Sequence, residues 1–301
     1  MKVAYFRGKF VPFDEAKIGV MTHAFNYGTG VFEGIRGYWN AKKSKTYLMK
    51  LPEHYERLQM SADLLKIKLP YSVDRLIQIT VDLIKKNGYK EDVYIRPIAY
   101  KSQERIGLGL TGIEDDFTMF LSPFGAYLDS KGIRTCISSW NRVNDNVYPK
   151  GAKVTGIYIN SSLAKSEAIE KGYDEAIMLT ADGYVGEGSG ENLLIVKNGK
   201  LETPPLTENI LAGITRSTVI DLARDEWGIE TIEKRVHPDE LYESDELFFC
   251  GTGAEITPII EVGDHKINGG KIGPITEKIQ KAYFGAVKGD NPKYLHWLTV
   301  V

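Results

Sequence analysis

Lys153 is the residue of this chain whose setting best suits covalent chemistry. It stands in the stretch KGAKVTGIY (150–158), between Ala152 and Val154 and just ahead of a predicted helix. A lysine that is partly removed from water has a lowered pKa, so its neutral amine can attack a carbonyl carbon and form a Schiff base. A solvated loop lysine is the alternative interpretation, and it is the one that fits Lys150.

Two glycine-containing turns offer backbone N–H groups to an anion. They consist of Gly213 with the helix start Ile214 and Thr215, and of Gly251, Thr252 and Gly253 after the strand ELFFC. Helix N-termini and glycine turns bind anions through free N–H groups. Because the chain has no Rossmann or Walker glycine pattern, the two turns favour one compact phosphate group over a dinucleotide.

A carboxylate framed by glycines lies between two predicted strands in VGEGSGEN. Glu187 and Glu191 are both candidates, and an ordinary polar turn is the alternative.

Other segments carry candidate substrate-binding residues. The alternation in DVYIRPIAY places Tyr94 and Arg96 on one strand face, where they can hold a carboxylate or form a cross-strand salt bridge. YGTGVFEGIR presents Tyr27 and Phe32 either as a pocket wall or as part of a glycine-kinked strand. Arg57 can bind phosphate through its planar guanidinium group or remain solvated. An amine, an anion site, a carboxylate and a carboxylate-binding pair are together the parts that pyridoxal phosphate chemistry on amino acids needs.

Turn and cap signals predict the elements that position these groups. They predict a hairpin over residues 3–11, a helix that Pro52 opens, a second helix from Ser72 to Gly88, a mobile loop over 105–112, and a hairpin at Asn198-Gly199. After Lys153, Asn160 or Ser161 is the predicted cap of a helix that ends before Gly172. The buried face predicted for that helix consists of Leu163, Ala164, Ala168 and Ile169.

Composition favours a small-molecule ligand. The chain has 301 residues, 38 basic and 40 acidic, with a net charge of −2 and no charged run, which gives no support to a nucleic-acid or membrane partner. The N-terminus lacks the apolar core of a secretory signal, so we expect a cytoplasmic protein. Cys136 and Cys250 stand in apolar runs typical of reduced core thiols, and no metal site is predicted.

The order of the motifs resembles that of branched-chain amino acid aminotransferases, which are fold-type IV pyridoxal phosphate enzymes. The resemblance spans about residue 3 to Phe284, and its motifs are YGTGVFEGIR, YIRP, SSWNR, the Lys153 region, GYVGEGSGENLL, GITR and GTGAEITP. It implies an α+β fold with a small α/β domain at 1–122, a linker at 123–132 and a larger domain with a barrel-like β core at 133–301. It also implies pyridoxal 5'-phosphate held between the domains, and a homodimer, with a hexamer as a further option.

The resemblance also implies site residues. Lys153 is the Schiff-base lysine and the catalytic residue, Glu187 pairs with the pyridine nitrogen, and Tyr158 hydrogen-bonds the ring hydroxyl. The other implied cofactor contacts are Arg57, Gly213, Ile214, Thr215, Gly251 and Thr252. The implied substrate pocket consists of Tyr27, Phe32, Gly34, Arg36, Tyr94, Arg96, Leu108, Leu110, Tyr127, Thr252 and Gly253, with Leu108 and Leu110 acting across a subunit interface.

The implied reaction is the transfer of an amino group from leucine, isoleucine or valine to 2-oxoglutarate, so the partners are small amino and 2-oxo acids. A D-amino acid or (R)-amine transaminase of the same fold is the main alternative, followed by a lyase that acts on aminodeoxychorismate and by a non-catalytic protein of this fold. Phe124 stands where many relatives carry tryptophan and Gly253 where alanine is frequent, which favours a wider substrate range. Arg105, just before the mobile loop, is either a second pocket cation or solvated.

Overall fold

The chain divides into two units in the computed structural model, which describes residues 2–144, 146–148 and 151–301. Unit 1 consists of Met1–Gly125, Ala152–Ile157 and Ala286–Val301, and unit 2 of Ala126–Gly151 and Tyr158–Gly285. Lys150 lies outside the described residues. Within those residues, every helix is too short or too polar to cross a membrane.

Unit 1 contains an eight-stranded sheet in which all neighbours are antiparallel. Its strands are β1 (Val3–Phe6), β2 (Lys9–Pro12), β3 (Gly30–Phe32), β4 (Ile35–Asn40), β5 (Lys45–Met49), β6 (Val93–Lys101), β7 (Asp115–Pro123) and β17 (Leu298–Val300). The order is β17-β5-β4-β6-β7-β1-β2, and β3 also pairs with β6. The predicted N-terminal hairpin is confirmed as β1 and β2.

The helices of unit 1 are α1 (His23–Tyr27), α2 (Leu51–Leu64) and α3 (Val73–Asn87). The predicted ends of α3 are confirmed: the Ser72 side chain accepts a hydrogen bond from the Arg75 N–H, and Gly88 adopts the left-handed conformation that ends helices. Both α2 and α3 bury apolar side chains in the core that also contains the sheet. In α3, Ile79 is fully buried and Ile77 only partly.

The division into units differs from the boundaries drawn on the sequence. The C-terminal segment 286–301 belongs to unit 1, because β17 pairs with β5 and closes one edge of its sheet. Residues 152–157 also belong to unit 1, where Val154 forms a bridge with Val31. Both segments are short, and their strand partners lie far away in sequence.

Unit 2 contains a mixed nine-stranded sheet. Its strands are β8 (Ile133–Ile137), β9 (Glu175–Leu179), β10 (Val185–Gly188), β11 (Asn192–Lys197), β12 (Lys200–Thr203), β13 (Thr231–Glu233), β14 (Glu246–Gly251), β15 (Glu255–Val262) and β16 (His265–Lys266). The order is β10-β9-β8-β15-β14-β11-β12-β13, with β16 on β15. The hairpin at Asn198-Gly199 is confirmed, since both residues have positive φ between β11 and β12.

The remaining helices are α4 (Tyr158–Glu170), α5 (Ile214–Trp227), α6 (Pro238–Tyr242) and α7 (Pro274–Val287), with short 3-10 turns at Phe13–Glu15, Thr155–Ile157, Leu206–Glu208, Ile267–Gly270 and Pro292–Trp297. Cys136 and Cys250 are free and buried, as predicted.

The prediction for the start and the buried face of α4 is wrong in part. A 3-10 turn leads directly into Tyr158, so Asn160 and Ser161 lie inside the helix and do not cap it. Ala164 and Ala168 are fully buried, but Leu163 and Ile169 are 37% and 58% exposed. The small alanine side chains pack in a cluster with Ala176 and Met178 of β9, which leaves the larger side chains outside it.

Candidate active site

The backbone of Lys153 is fixed within unit 1 on both sides. Its carbonyl oxygen accepts a hydrogen bond from the Phe32 N–H at 3.1 Å, and its own N–H donates to Ser61 Oγ at 3.1 Å. The lysine segment therefore runs beside β3, and Lys153 is half-buried there.

The glycines of YGTG make room for the lysine segment. A Cβ atom at Gly28 would lie 2.6 Å from the Cα of Gly156, and Gly28 has a φ of +66°. The Gly156 N–H donates to the Gly28 oxygen at 3.1 Å, and the Thr155 hydroxyl contacts the carbonyl oxygens of Gly28 and Gly30 at 2.8 and 3.0 Å. Glycine at position 28 therefore permits the close approach of the backbone that carries Lys153.

Phe32 lies beside two cationic side chains. The Lys153 Nζ is 5.0 Å and the Arg96 Cζ 4.3 Å from the centre of its ring. Arg96 also donates to the Tyr94 hydroxyl at 2.9 Å, so the predicted Tyr94–Arg96 pair on one strand face is present. A Cβ at Gly34 would lie 2.1 Å from that hydroxyl, which explains a glycine at this position.

Arg36 is buried and holds the end of unit 1 in place. Its guanidinium lies 5.2 Å from the centre of the Phe124 ring and donates to the Gly125 oxygen at 2.9 Å. The Phe124 ring in turn lies 5.0 Å from that of Tyr94. Arg36 thus positions the segment that carries Phe124.

Arg57 forms a bidentate ion pair with Glu33, a residue that the sequence reading did not single out. Its Nε and Nη2 lie 2.6 and 2.8 Å from the two carboxylate oxygens, and the His54 Nδ1 lies 2.7 Å from Glu33 Oε2. Burial would raise the pKa of Glu33, but Arg57 and His54 hold it well below its usual range. Burial lowers the pKa of His54, so a neutral ring donates to the carboxylate.

The predicted loop at 105–112 is a segment without helix or strand, and it is tied to α1 of the same unit. The Gly107 N–H donates to the Tyr27 hydroxyl at 3.2 Å, and His23 Nε2 lies 2.8 Å from the Gly107 oxygen. Leu108 is 77% exposed, whereas Leu110 is partly buried.

Glu187 of unit 2 is a buried carboxylate with several donors. Arg142 Nη2 lies 2.7 Å from its Oε1, and Asn192 Nδ2 donates to its Oε2 at 2.9 Å. The Leu211 N–H lies 3.2 Å from Oε2. Cation and amide donors favour the ionised form of this carboxylate.

Glu191 has a different environment. It accepts a hydrogen bond from the Gly190 N–H, while the nearby Lys165 pairs with Glu175 at 2.7 Å. Burial, followed by the Glu175 charge, raises the pKa of Glu191 to about 8. The two candidates therefore lie in different environments: Glu187 has an arginine partner and amide donors that favour its ionised form, whereas burial raises the pKa of Glu191 and favours its neutral form.

The two glycine–threonine turns both lie in unit 2. Helix α5 starts after Gly213, which has no side chain to cap it, so the backbone N–H groups of Ile214 and Thr215 lie in the first turn, at the positive end of the helix dipole. The second turn, Gly251 to Gly253, joins β14 to β15.

Two tyrosines of the implied site also belong to unit 2. A Cβ at Gly253 would lie 3.9 Å from the Tyr127 ring, an ordinary contact distance. Tyr158 is the first residue of α4. Of the implied residues, Lys153 has a fixed backbone within unit 1, and Glu187 and the start of α5 lie in unit 2.

Comparisons with known proteins support the resemblance. Residues 30–262 match the family model for amino-transferase class IV. A protein of Aquifex aeolicus (strain VF5), named a probable branched-chain-amino-acid aminotransferase, is 49% identical over 302 residues, which cover 100% of this chain and 97% of that protein.

Solved structures agree with the fold. The branched-chain aminotransferase of Thermoproteus uzoniensis with norvaline superposes with a TM-score of 0.95 at 47% identity, over 99% of both chains. The branched-chain amino acid aminotransferase of Thermobaculum terrenum, solved in its PLP-form, gives a TM-score of 0.94 at 38% identity, over 99% of this chain and 98% of that one. The expected α+β, fold-type IV architecture is thereby confirmed. The chain belongs to the class IV aminotransferase family.

Proposed function

We propose that this protein transfers the amino group of branched-chain L-amino acids to 2-oxoglutarate, with pyridoxal 5'-phosphate as cofactor. The observation that carries the proposal is Lys153, which has a fixed backbone and an amine beside Phe32, near the Tyr94–Arg96 pair, in a chain with full-length relatives named as branched-chain aminotransferases. Its products are branched 2-oxo acids and L-glutamate. We place the protein in the cytoplasm.

The proposed cofactor contacts are those that the family resemblance implies. When bound, pyridoxal phosphate supplies an aldehyde carbon that amines attack and a ring that withdraws electrons from the substrate Cα. Lys153 would hold the cofactor through its aldehyde carbon, Glu187 would keep a proton on the ring nitrogen, and Tyr158 would hydrogen-bond the ring hydroxyl. The phosphate contacts are assigned to Arg57, Gly213, Ile214, Thr215, Gly251 and Thr252.

Arg57 has a partner of its own in this proposal. Because Glu33 already binds two of its nitrogen atoms, the planar guanidinium has a fixed orientation. The phosphate charge is then met mainly by backbone N–H groups at the start of α5.

Lys153 also moves a proton. Its amine removes the proton from the substrate Cα and later returns a proton as an acid, so one residue serves as both base and acid. The N–H and carbonyl hydrogen bonds of Lys153 fix the backbone from which its side chain extends.

The proposed substrate site must accept an aliphatic side chain and a second carboxylate. Phe32 offers an apolar surface to leucine, isoleucine or valine, and Arg96 pairs with the distal carboxylate of glutamate. The remaining proposed pocket residues are Tyr27, Gly34, Arg36, Tyr94, Leu108, Leu110, Tyr127, Thr252 and Gly253.

A donor panel tests this function. Purified protein loaded with pyridoxal phosphate is assayed with 2-oxoglutarate and L-leucine, D-alanine or (R)-1-phenylethylamine. We expect L-leucine to have the highest kcat/KM. If D-alanine or the amine were the best donor, the protein would instead be a D-amino acid or (R)-amine transaminase.

Removal of the Arg96 side chain is expected to lower kcat/KM for 2-oxoglutarate more than kcat/KM for leucine. Arg96→Ala should lower kcat/KM for 2-oxoglutarate by about 10- to 100-fold, because a hydrogen bond to a charged group contributes about 1.5–3 kcal/mol. Leucine has no distal carboxylate, so its kcat/KM should fall much less. Arg75→Ala, at an exposed position of α3, is the matched control. Equal losses for both substrates would reject the assigned role.

Self-association through unit 1 is also proposed. Val20, Phe25, Ile106 and Leu108 are 81%, 67%, 70% and 77% exposed. Their two segments are joined by backbone hydrogen bonds, among them Arg105 N–H to the Met21 oxygen at 3.1 Å. An exposed apolar surface of this kind is typical of a subunit interface, and a second copy of this chain is the proposed occupant.

Charges in this surface should prevent assembly. We expect the double variant Phe25→Asp, Leu108→Asp to run as a monomer in light scattering coupled to gel filtration, whereas the wild-type protein forms a dimer or a hexamer. Met60→Asp, at an exposed apolar position of α2, should leave the mass unchanged. A monomeric wild-type protein would refute the proposed interface.

A further inference from the structure

Arg142 lies in the segment that follows β8 and reaches Glu187 inside unit 2. Its side chain is 8% exposed, that of Glu187 is 6% exposed, and Nη2 and Oε1 are 2.7 Å apart. The pair is therefore shielded from water, where charge–charge attraction is stronger than at a surface.

The local backbone fixes Arg142. Its N–H donates to the Leu179 oxygen at 2.7 Å, which ties the segment to the end of β9. A Cβ at Gly186 would lie 3.1 Å from Arg142 Cγ and 3.2 Å from the Met178 oxygen. Gly186 of β10 thus leaves the space that the arginine stem occupies, one residue before the glutamate that the arginine binds.

Asn192 holds the other oxygen of Glu187. It donates to Oε2 at 2.9 Å and to the Leu211 carbonyl oxygen at 3.0 Å. A Cβ at Gly213 would lie 1.9 Å from Asn192 Oδ1. Gly213 therefore leaves room for the Asn192 side chain that binds Glu187, and it also precedes the first turn of α5.

We infer that Arg142 is a positioning residue that keeps Glu187 ionised and oriented toward the ring nitrogen of the cofactor. The inference rests on the proposed function, since it acts through the role given to Glu187.

Glu191 is another buried glutamate of unit 2, and its surroundings can be compared with those of Glu187. It is buried in the same unit, its neighbour Lys165 is bound to Glu175, and burial keeps its pKa well above the usual range. Three titratable groups that interact with Glu187 within the described residues are Arg142, Glu191 and Cys250. Of these three, only Arg142 favours the carboxylate form of Glu187.

The test compares Arg142→Met with Arg142→Lys in the holoenzyme. Loss of the cation raises the pKa of Glu187, so Arg142→Met should move the acidic limb of the kcat profile upward by about one pH unit or more. The deficit in kcat should be at least about tenfold at pH 6 and should shrink toward pH 9, with KM for leucine nearly unchanged. The visible absorption of the bound cofactor, titrated without substrate, should shift over the same pH range.

Arg142→Lys should restore most of the wild-type profile, because it keeps a cation near the carboxylate. If Arg142→Met does not fold, Gly186→Ala offers a milder displacement of the arginine stem and should shift the same limb less. An unchanged acidic limb and an unchanged spectral titration in a folded variant would overturn the inference. A wild-type protein inactive with every donor would instead reject the proposed function.

Discussion

Lys153→Ala is expected to abolish transamination, with kcat reduced by at least about 10³-fold, because the variant lacks both the amine that binds the cofactor and the general base. The bound cofactor should also lose its covalent link to the chain. Borohydride reduction followed by peptide mass spectrometry should find pyridoxal phosphate on Lys153 in the wild-type protein and on no lysine in the variant.

Two further variants make this result specific. Lys153→Arg keeps the positive charge beside Phe32 but cannot supply a neutral amine, so it should be as inactive as Lys153→Ala. Lys171→Ala, at an exposed lysine paired with Glu167, should retain full activity. A Lys153→Ala protein with a tenth or more of the wild-type kcat would refute the assigned role.

The local elements of the fold could be predicted because their signals lie within a few residues. Ser72 and Gly88 delimit α3, and Asn198-Gly199 closes a hairpin, because caps and tight turns depend on the conformational preferences of single residues. The predicted start of α4 is wrong because a 3-10 turn precedes Tyr158 and takes the place of a polar cap.

Contacts between distant segments could not be predicted in this way. Glu33 meets Arg57 and Glu187 meets Arg142 only in the folded chain, and nothing near either carboxylate in sequence reveals its partner. The same holds for Gly28, whose close neighbour is Gly156, and for β17, whose partner is β5. The resemblance to the aminotransferases supplied the proposed roles, and the structure supplies the neighbours that hold those residues.

Glu187→Gln is expected to lower kcat by about 10²-fold or more, because a neutral amide cannot hold a proton on the ring nitrogen as a carboxylate does. Glu191→Gln is the matched control in the same motif. Since the buried Glu191 is already neutral at pH 7, an amide of the same shape should leave kcat within about threefold of wild type. A larger loss of kcat in Glu191→Gln than in Glu187→Gln would mean that Glu191, and not Glu187, pairs with the ring nitrogen.

Glu191→Gln should also change the pH dependence of stability. In the wild-type protein the folded pKa of Glu191 is raised to about 8 by burial, so the folded state retains a proton that the unfolded chain releases above its ordinary pKa. Stability conferred by this site is therefore fully present in acid and is lost as pH rises toward 8. The glutamine variant removes this loss, so its free energy of unfolding should exceed that of wild type by on the order of 5 kcal/mol at pH 9 and by almost nothing at pH 4. Urea titrations at the two pH values measure the difference. An equal effect at both pH values would mean that folding does not shift the pKa of Glu191, and a variant less stable than wild type at pH 9 alone would mean that Glu191 is ionised and stabilised in the folded protein.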